Sequence, residues 1–245
     1  MEGREPAVSA LELYRRLAGR RALATGLEEL DALLGGIEGG VGYLFYGDED
    51  RLNELVHSLL VSAVAPREKG GWGARALYIN NTDYYTAKTL LSPPLLGELA
   101  KRRGLEPLWL LDRISVLAAY NEERQRLVAE EARKAICGDP TIKLVLVHNM
   151  TCFLEKGKGA EEIMVRALGL LREACAFNAS LVVTAGSKRG PRGVPVPLGG
   201  AFFRACAGRH RLPYKGEGDT AQASLAPGAL LRPPGGQEGR HRPLG

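Results

Sequence analysis

The chain has 245 residues, 45% of them hydrophobic and 25% charged, with a formal net charge of +5. Such a composition excludes a disordered or collagen-like chain and leaves room for one sizeable α/β core with short extensions. The excess of Lys and Arg permits an anionic partner without identifying one. No apolar run approaches the roughly 18 residues of a membrane span, and the opening stretch MEGREPAVSALELYRR holds no apolar centre of signal-peptide length. No membrane contact is expected, and a cytoplasmic location is. Cys137, Cys152, Cys175 and Cys206 form no CxxC pair, which argues against a zinc site or a thioredoxin-like motif. They are expected to be small core residues of a reducing compartment, and no metal site is expected.

Along the chain, residues 7–17 fit a short helix with Leu11, Tyr14 and Leu17 on one face, followed by the basic link Arg20-Arg21. Residues 1–24 are therefore read as an N-terminal helix and linker. Residues 22–37 fit a second helix, with Thr25 as N-cap, Leu27, Leu30, Leu33 and Leu34 as its apolar stripe and Gly35-Gly36 as its stop. Residues 41–46 form an apolar, aromatic-rich run ending in Gly47. Beyond it Leu52, Leu55, Val56, Leu59 and Leu60 recur at helical spacing, so this segment reads as buried strand, tight turn and amphipathic helix.

A second buried strand is expected over residues 74–79, with Asn80, Asn81, Thr82 and Asp83 at its C-terminal end, where open α/β sheets place their chemistry. Pro93-Pro94 is read as a break in the next helical region, which resumes through Leu95, Leu96 and Leu99. A third strand (residues 113–118), a long charged helix (121–136), the strand IKLVLV ending in His148, a helix (160–177) and a fifth strand (180–184) follow. Strand and helix alternate, which predicts a doubly wound, mainly parallel α/β sheet with helices on both faces. Residues 186–200 read as a Gly/Pro-rich basic loop, followed by a short helix and two antiparallel strands near 209–214 and 220–225. The core is expected over residues 25–228 and a disordered tail over 229–245.

The strand-turn-helix unit at Gly47 has the frame of a phosphate-binding loop. The working form, GxxxxGK[ST], needs a second Gly, a Lys for the β/γ-phosphates and a hydroxyl for Mg²⁺. Counting from Gly47, those places hold Leu52, Asn53 and Glu54. Asp48, Glu49 and Asp50 stand where phosphate oxygens would sit, and like charges repel. Asp48 or Asp50 is a candidate cap that plugs the helix start with the chain's own anion. An ordinary strand-turn-helix unit of an unrelated α/β protein is the alternative.

Six fragments taken in order resemble the ATPase core of archaeal RadA recombinases and the wider RecA-type family, over residues 7–228. ATGLEELDALLGG is similar to the family's entry motif, and Tyr78-Ile79 to the strand leading to its catalytic glutamate. AYNEERQRLVAEEA resembles a stretch after its third strand, KLVLVHNMT its Walker B strand, LVVT the next strand, and PVPLGG the end of its mobile DNA-binding loop. The family's N-terminal helix-hairpin-helix domain is expected to be absent.

Carried over residue by residue, the resemblance implies a Walker-less paralogue with a degenerate nucleotide site and no cofactor. The Walker A Lys and Thr fall on Asn53 and Glu54, the Walker B Asp on His148, and the water-polarising Glu on Thr82 or a neighbour within residues 80–83. The Gln that senses the γ-phosphate falls on Gly186. Phosphoryl transfer depends on positioning and charge stabilisation by such groups, so no catalytic residue is expected. His148 as metal ligand or base, and Glu54 with Asp83 as cation ligands, are the alternatives. The family's Phe-x-x-Ala segment, which packs on a neighbouring protomer as an added edge strand, falls on Ala7-Val8-Ser9-Ala10, without the aromatic anchor.

Between Glu173 and Glu217 no acidic residue occurs, while Lys188, Arg189, Arg192, Arg204, Arg209, Arg211 and Lys215 all do. The densest part, SKRGPRGVPVPLGG, coincides with the family's loop for single-stranded DNA, where glycines give backbone access and cations neutralise phosphates. A solvated loop is the alternative. The second family DNA loop is reduced to a stretch holding Lys156 and Lys158.

Three roles follow from the resemblance. The first is a non-catalytic recombination or repair accessory that binds single-stranded DNA, the active recombinase, or both. The second is a protein-binding regulatory or structural pseudo-ATPase without DNA contact. The third is a weak nucleotide-binding ATPase with a rearranged site.

Overall fold

Alternate side chains of each central strand enter two different apolar layers, so the sheet is buried on both faces. Tyr43, Phe45, Ala76, Tyr78, Leu144, Leu146 and Val182 join one core, and Leu44, Leu77, Ile79, Val145, Val147, Leu181 and Val183 the other. This is the period-2 geometry of strands covered on both sides, and it explains the near-continuous apolar runs of the sequence. The structure is a computed structural model that describes residues 22–82, 91–154, 159–176, 179–190, 195–199 and 222–226.

Helix α1 (Glu28–Leu34) precedes β1 (Gly42–Tyr46), α2 (Glu49–Val64), β2 (Arg75–Asn81), α3 (Pro93–Arg102), α4 (Pro107–Leu111) and β3 (Ile114–Ala119). Then come α5 (Glu122–Gly138), β4 (Ile142–His148), α6 (Ala160–Cys175), β5 (Ser180–Ala185), β6 (Ser187–Arg189), β7 (Pro195–Pro197) and β8 (Gln222–Ala226). The main sheet has the order β3-β2-β4-β5-β1-β8. β1 to β5 are parallel neighbours and β8 runs antiparallel beside β1. The fold is therefore α/β, a doubly wound and mainly parallel sheet with a C-terminal antiparallel strand.

Helices α2, α3 and α4 cover one face through Leu52, Leu55, Val56, Leu59, Leu60, Leu96 and Leu110. On the other face α5 and α6 contribute Val128, Ala132, Ile136, Met164, Leu168 and Leu171. Full burial of one such Leu stabilises the fold by about 2 kcal/mol. Because β5 lies between β1 and β4, the C-terminal ends of these three strands and of β2 line one edge of the sheet, where the chain reverses its winding.

Several sequence expectations change. Thr25 is not the cap of α1: Leu27 holds that position without a side-chain bond. Instead the Thr25 and Gly26 amides donate to Asp31 at 2.6 and 3.1 Å, so the turn before the helix is tied to the helix's own carboxylate. Pro93 and Pro94 begin α3 rather than break a helix, behind the Ser92 cap, because proline costs nothing where N–H groups have no intrahelical partner. The basic loop of residues 186–200 contains a ladder, β6 paired with β7. Cys175 is buried as expected, but Cys137 is exposed and Cys152 half-buried. The expected helix at 7–17, the strand near 209–214, the tail and Cys206 lie outside the described residues. Among the described residues no helix is long and apolar enough to cross a membrane.

Candidate functional site

The site begins where β1 hands over to α2. Asp48, extended at φ −65° and ψ 133°, caps α2, and its carboxylate accepts the Arg51 amide at 3.0 Å. Glu49 and Asp50 follow in the first turn, so the positive end of the helix dipole already faces the chain's own carboxylates. Arg51 reaches forward to Glu54 at 3.3 Å, an exposed i,i+3 pair that contributes little stability. Asn53 is half-buried, and its Oδ1 has no hydrogen-bond partner among the described residues.

One turn further along α2, His57 is fully buried. Its Nε2 accepts the Ser92 amide at 2.8 Å, which leaves the proton on Nδ1 to donate to the Asn53 carbonyl at 2.8 Å. Burial holds its pKa below the ordinary value, against the opposing bond to Asn53.

At the strand ends the parallel register sets Asn80 beside His148. His148 is 2% exposed, and Thr184 Oγ1 lies 3.1 Å from its Nδ1 while accepting the Asn149 amide at 2.8 Å. Burial, with a smaller contribution from the His57 charge, pushes His148 down to about 4. Both imidazoles are therefore neutral near pH 7 and offer no positive charge to a phosphate. Asn81 donates to the His148 carbonyl at 2.8 Å, and Gln125 of α5 donates to Asn81 Oδ1 and to the Met150 carbonyl at 3.0 Å each. The strand ends are thus joined by a network of uncharged side chains, which is rigid when its members are satisfied. Thr82 continues β2 with its amide on the Ala119 carbonyl at 2.9 Å.

Beyond β5 the backbone of Gly186 is held at both ends. Its N–H donates to Thr151 Oγ1 at 2.8 Å and its carbonyl accepts the Leu198 amide at 2.8 Å. A Cβ at this position would come within 3.0 Å of Leu198 Cδ1. The hairpin of β6 and β7 starts here, with Lys188 opposite Val196 and Arg189 opposite Pro195. Lys188 and Arg189 are exposed. Ser187 Oγ donates to the Gly47 carbonyl at 3.4 Å, which ties the hairpin to the β1–α2 turn.

The structure therefore brings Gly47, Asp48, Asn53, Thr82, His148 and Gly186 to one edge of the sheet, with Asp50 and Glu54 exposed on the first turns of α2. Lys188 and Arg189 stand on the hairpin beside that edge. Asp83, Lys156, Lys158, Arg192, Arg209 and Arg211 lie outside the described residues. Sequence reasoning singled out Asn81 only as part of the stretch 80–83 and missed His57, Gln125, Thr151 and Thr184. One signal was available, because Gln125 falls on the helical stripe formed by Val128, Ala129, Ala132 and Ile136, and a polar residue on a buried face requires a partner. No group of three or more His, Cys, Asp or Glu residues that could hold a metal ion occurs among the described residues.

The sequence model of the Rad51 family matches residues 20–183. The DNA repair and recombination protein RadA of Metallosphaera sedula is 31% identical over 167 residues, covering 67% of this chain and 50% of that protein. The DNA repair and recombination protein RadA of Cenarchaeum symbiosum is 30% identical over 186 residues, covering 72% of this chain and 45% of that protein. The chain spans about half the length of the curated relatives it matches.

Proposed function

The chain belongs to the Rad51 family, and from that premise we propose that it is a non-catalytic RadA-like accessory of recombination and repair that binds single-stranded DNA. The observation that carries this reading is Asp48, whose carboxylate occupies the N-terminus of α2. A phosphate at that place would lose the free amide that Asp48 takes and would meet the charges of Glu49 and Asp50. Support comes from the strand ends, where His148, Asn80 and Asn81 supply no carboxylate for Mg²⁺ or water. Without a cation on the phosphates and a metal to neutralise developing charge, phosphoryl transfer lacks its stabilising groups. The basic hairpin beside the plugged loop then contributes charge to nucleic-acid binding, independently of nucleotide.

The test is a fluorescence-polarisation titration of labelled single-stranded DNA across a salt series, with and without Mg-ATP. Binding is expected to weaken steeply with salt, to ignore ATP, and to be lost in the Lys188→Ala/Arg189→Ala/Arg192→Ala variant. Absence of binding at low salt would overturn the nucleic-acid reading, and ATP-dependent binding would overturn the plugged loop and favour a rearranged ATPase.

A second reading has its own observation. Among the described residues β3 is the terminal strand of the main sheet on the side away from β8, and Val116 on it is 51% exposed. An open edge with apolar side chains is a template for an added strand. A partner recombinase docking there would bind this chain equally well after the triple substitution, which separates the two readings.

A further inference from the structure

The hairpin is anchored in a way that its charges do not require. Thr151 is 4% exposed and belongs to the turn after β4, yet its hydroxyl accepts the Gly186 amide from the end of β5 at 2.8 Å. The Leu198 amide closes the base of the hairpin on the Gly186 carbonyl at 2.8 Å. Leu198 also fills the space beside Gly186, since a Cβ there would lie 3.0 Å from Leu198 Cδ1 and 3.4 Å from Thr151 Oγ1. Ser187, the next residue, reaches the Gly47 carbonyl at 3.4 Å. The base of the hairpin is thus fixed to two turns at the same edge of the sheet, one after β4 and one after β1.

We propose that Thr151, Ser187 and Leu198 are positioning residues that hold Lys188 and Arg189 in one orientation without any nucleotide, so that the hairpin is constitutively ready to bind an anionic strand. The inference rests on the nucleic-acid reading above for its consequence, but the anchoring has its own readout. A hairpin free to swing would spread its two cations over many orientations and lose affinity on ordering them. Fixing the base at Gly186 removes that cost before a ligand arrives. The cations supply the salt dependence, whereas the anchor residues supply only orientation. Substituting the anchor should therefore change affinity while leaving the salt slope alone.

The experiment compares the wild-type chain with Thr151→Val, Thr151→Ser and Ser187→Ala, using residue-resolved amide exchange and titration with a labelled oligothymidine. In Thr151→Val the Gly186 and Leu198 amides are expected to exchange about ten times faster and affinity to fall about five-fold, the size of one net hydrogen bond. The slope of affinity against salt stays at the wild-type value, and Thr151→Ser restores both properties. Mg-ATP leaves wild-type exchange and affinity unchanged. Should Thr151→Val unfold, Ser187→Ala carries the same expectation for Leu198 exchange and for affinity. Wild-type behaviour in the anchor variants, a changed salt slope, or slower hairpin exchange on adding Mg-ATP would each overturn the proposal. A wild-type chain that binds no oligothymidine but loses amide protection in Thr151→Val would retain the anchor and discard the nucleic-acid role.

Discussion

At pH 7 the buried His148 imidazole is neutral, and its folded pKa of about 4 lies below the ordinary His value of 6.5. Above about pH 6.5 neither folded nor unfolded chain protonates this group, so its environment adds no pH dependence. As pH falls from about 6.5 to 4, the unfolded chain takes up the proton and the folded chain does not, so stability is lost across that window. The loss is about 3 kcal/mol for His148, and His57, also depressed by burial, acts in the same direction. Urea unfolding at pH 7 and pH 4.5 should show this drop, and His148→Asn should make it shallower. Asp48 has a local role at the same scale. Asp48→Ala removes the bond to the Arg51 amide and should lower stability by about 1 kcal/mol in denaturant unfolding. On the proposed reading, in which Asn53 takes the place of a phosphate-binding Lys, it should not create ATP binding by calorimetry.

Helix α2 is the element that links the loop to the core. Its buried positions include Leu52, Leu55, Val56, Leu59 and Leu60, the residues whose spacing marked it as amphipathic. Leu59→Ala should cost about 3 kcal/mol, combining lost transfer energy with the cavity left behind, as read from the urea midpoint. The same helix carries a defect, since Ser62 Oγ is buried without a hydrogen-bond partner among the described residues. Ser62→Ala should therefore raise stability by about 1 kcal/mol, through relief of that unsatisfied hydroxyl and better helix propensity. The parallel strands β1 to β5 were legible to within a residue or two because short, near-continuous apolar runs bounded by turn residues fit strands covered on both faces. The ladder of β6 and β7 was not legible, because Pro195 and Pro197 read as loop. Proline is accommodated at a strand edge where its missing N–H breaks no bond, and pairing with Ser187 and Arg189 depends on contacts distant in sequence.

For the whole molecule, charge and topology act together. The sheet order places β5 between β1 and β4, so the β1–α2 turn capped by Asp48, the neutral strand-end network and the basic hairpin meet at one edge. If that edge binds single-stranded DNA, replacing Lys188 or Arg189 alone by Ala should flatten the logarithmic salt slope by about 0.7, the contribution of one phosphate contact on a single strand. A titration series between low and moderate salt measures this directly.

By itself the sequence determined the alternation of strands and helices and the acidic run at Asp48, Glu49 and Asp50, but it left Asp48 and Asp50 as equal candidates for the cap of α2, because that choice depends on backbone geometry. Only the tertiary structure decided that His148 and Thr184 are partners, that Gln125 bridges Asn81 and Met150, and that Thr151 and Gly47 hold the hairpin. These bonds join residues that are mostly tens of positions apart in the chain. Their partners were therefore chosen by the register of parallel strands and the burial of the sheet, which leave a polar group at a strand end no solvent to satisfy it.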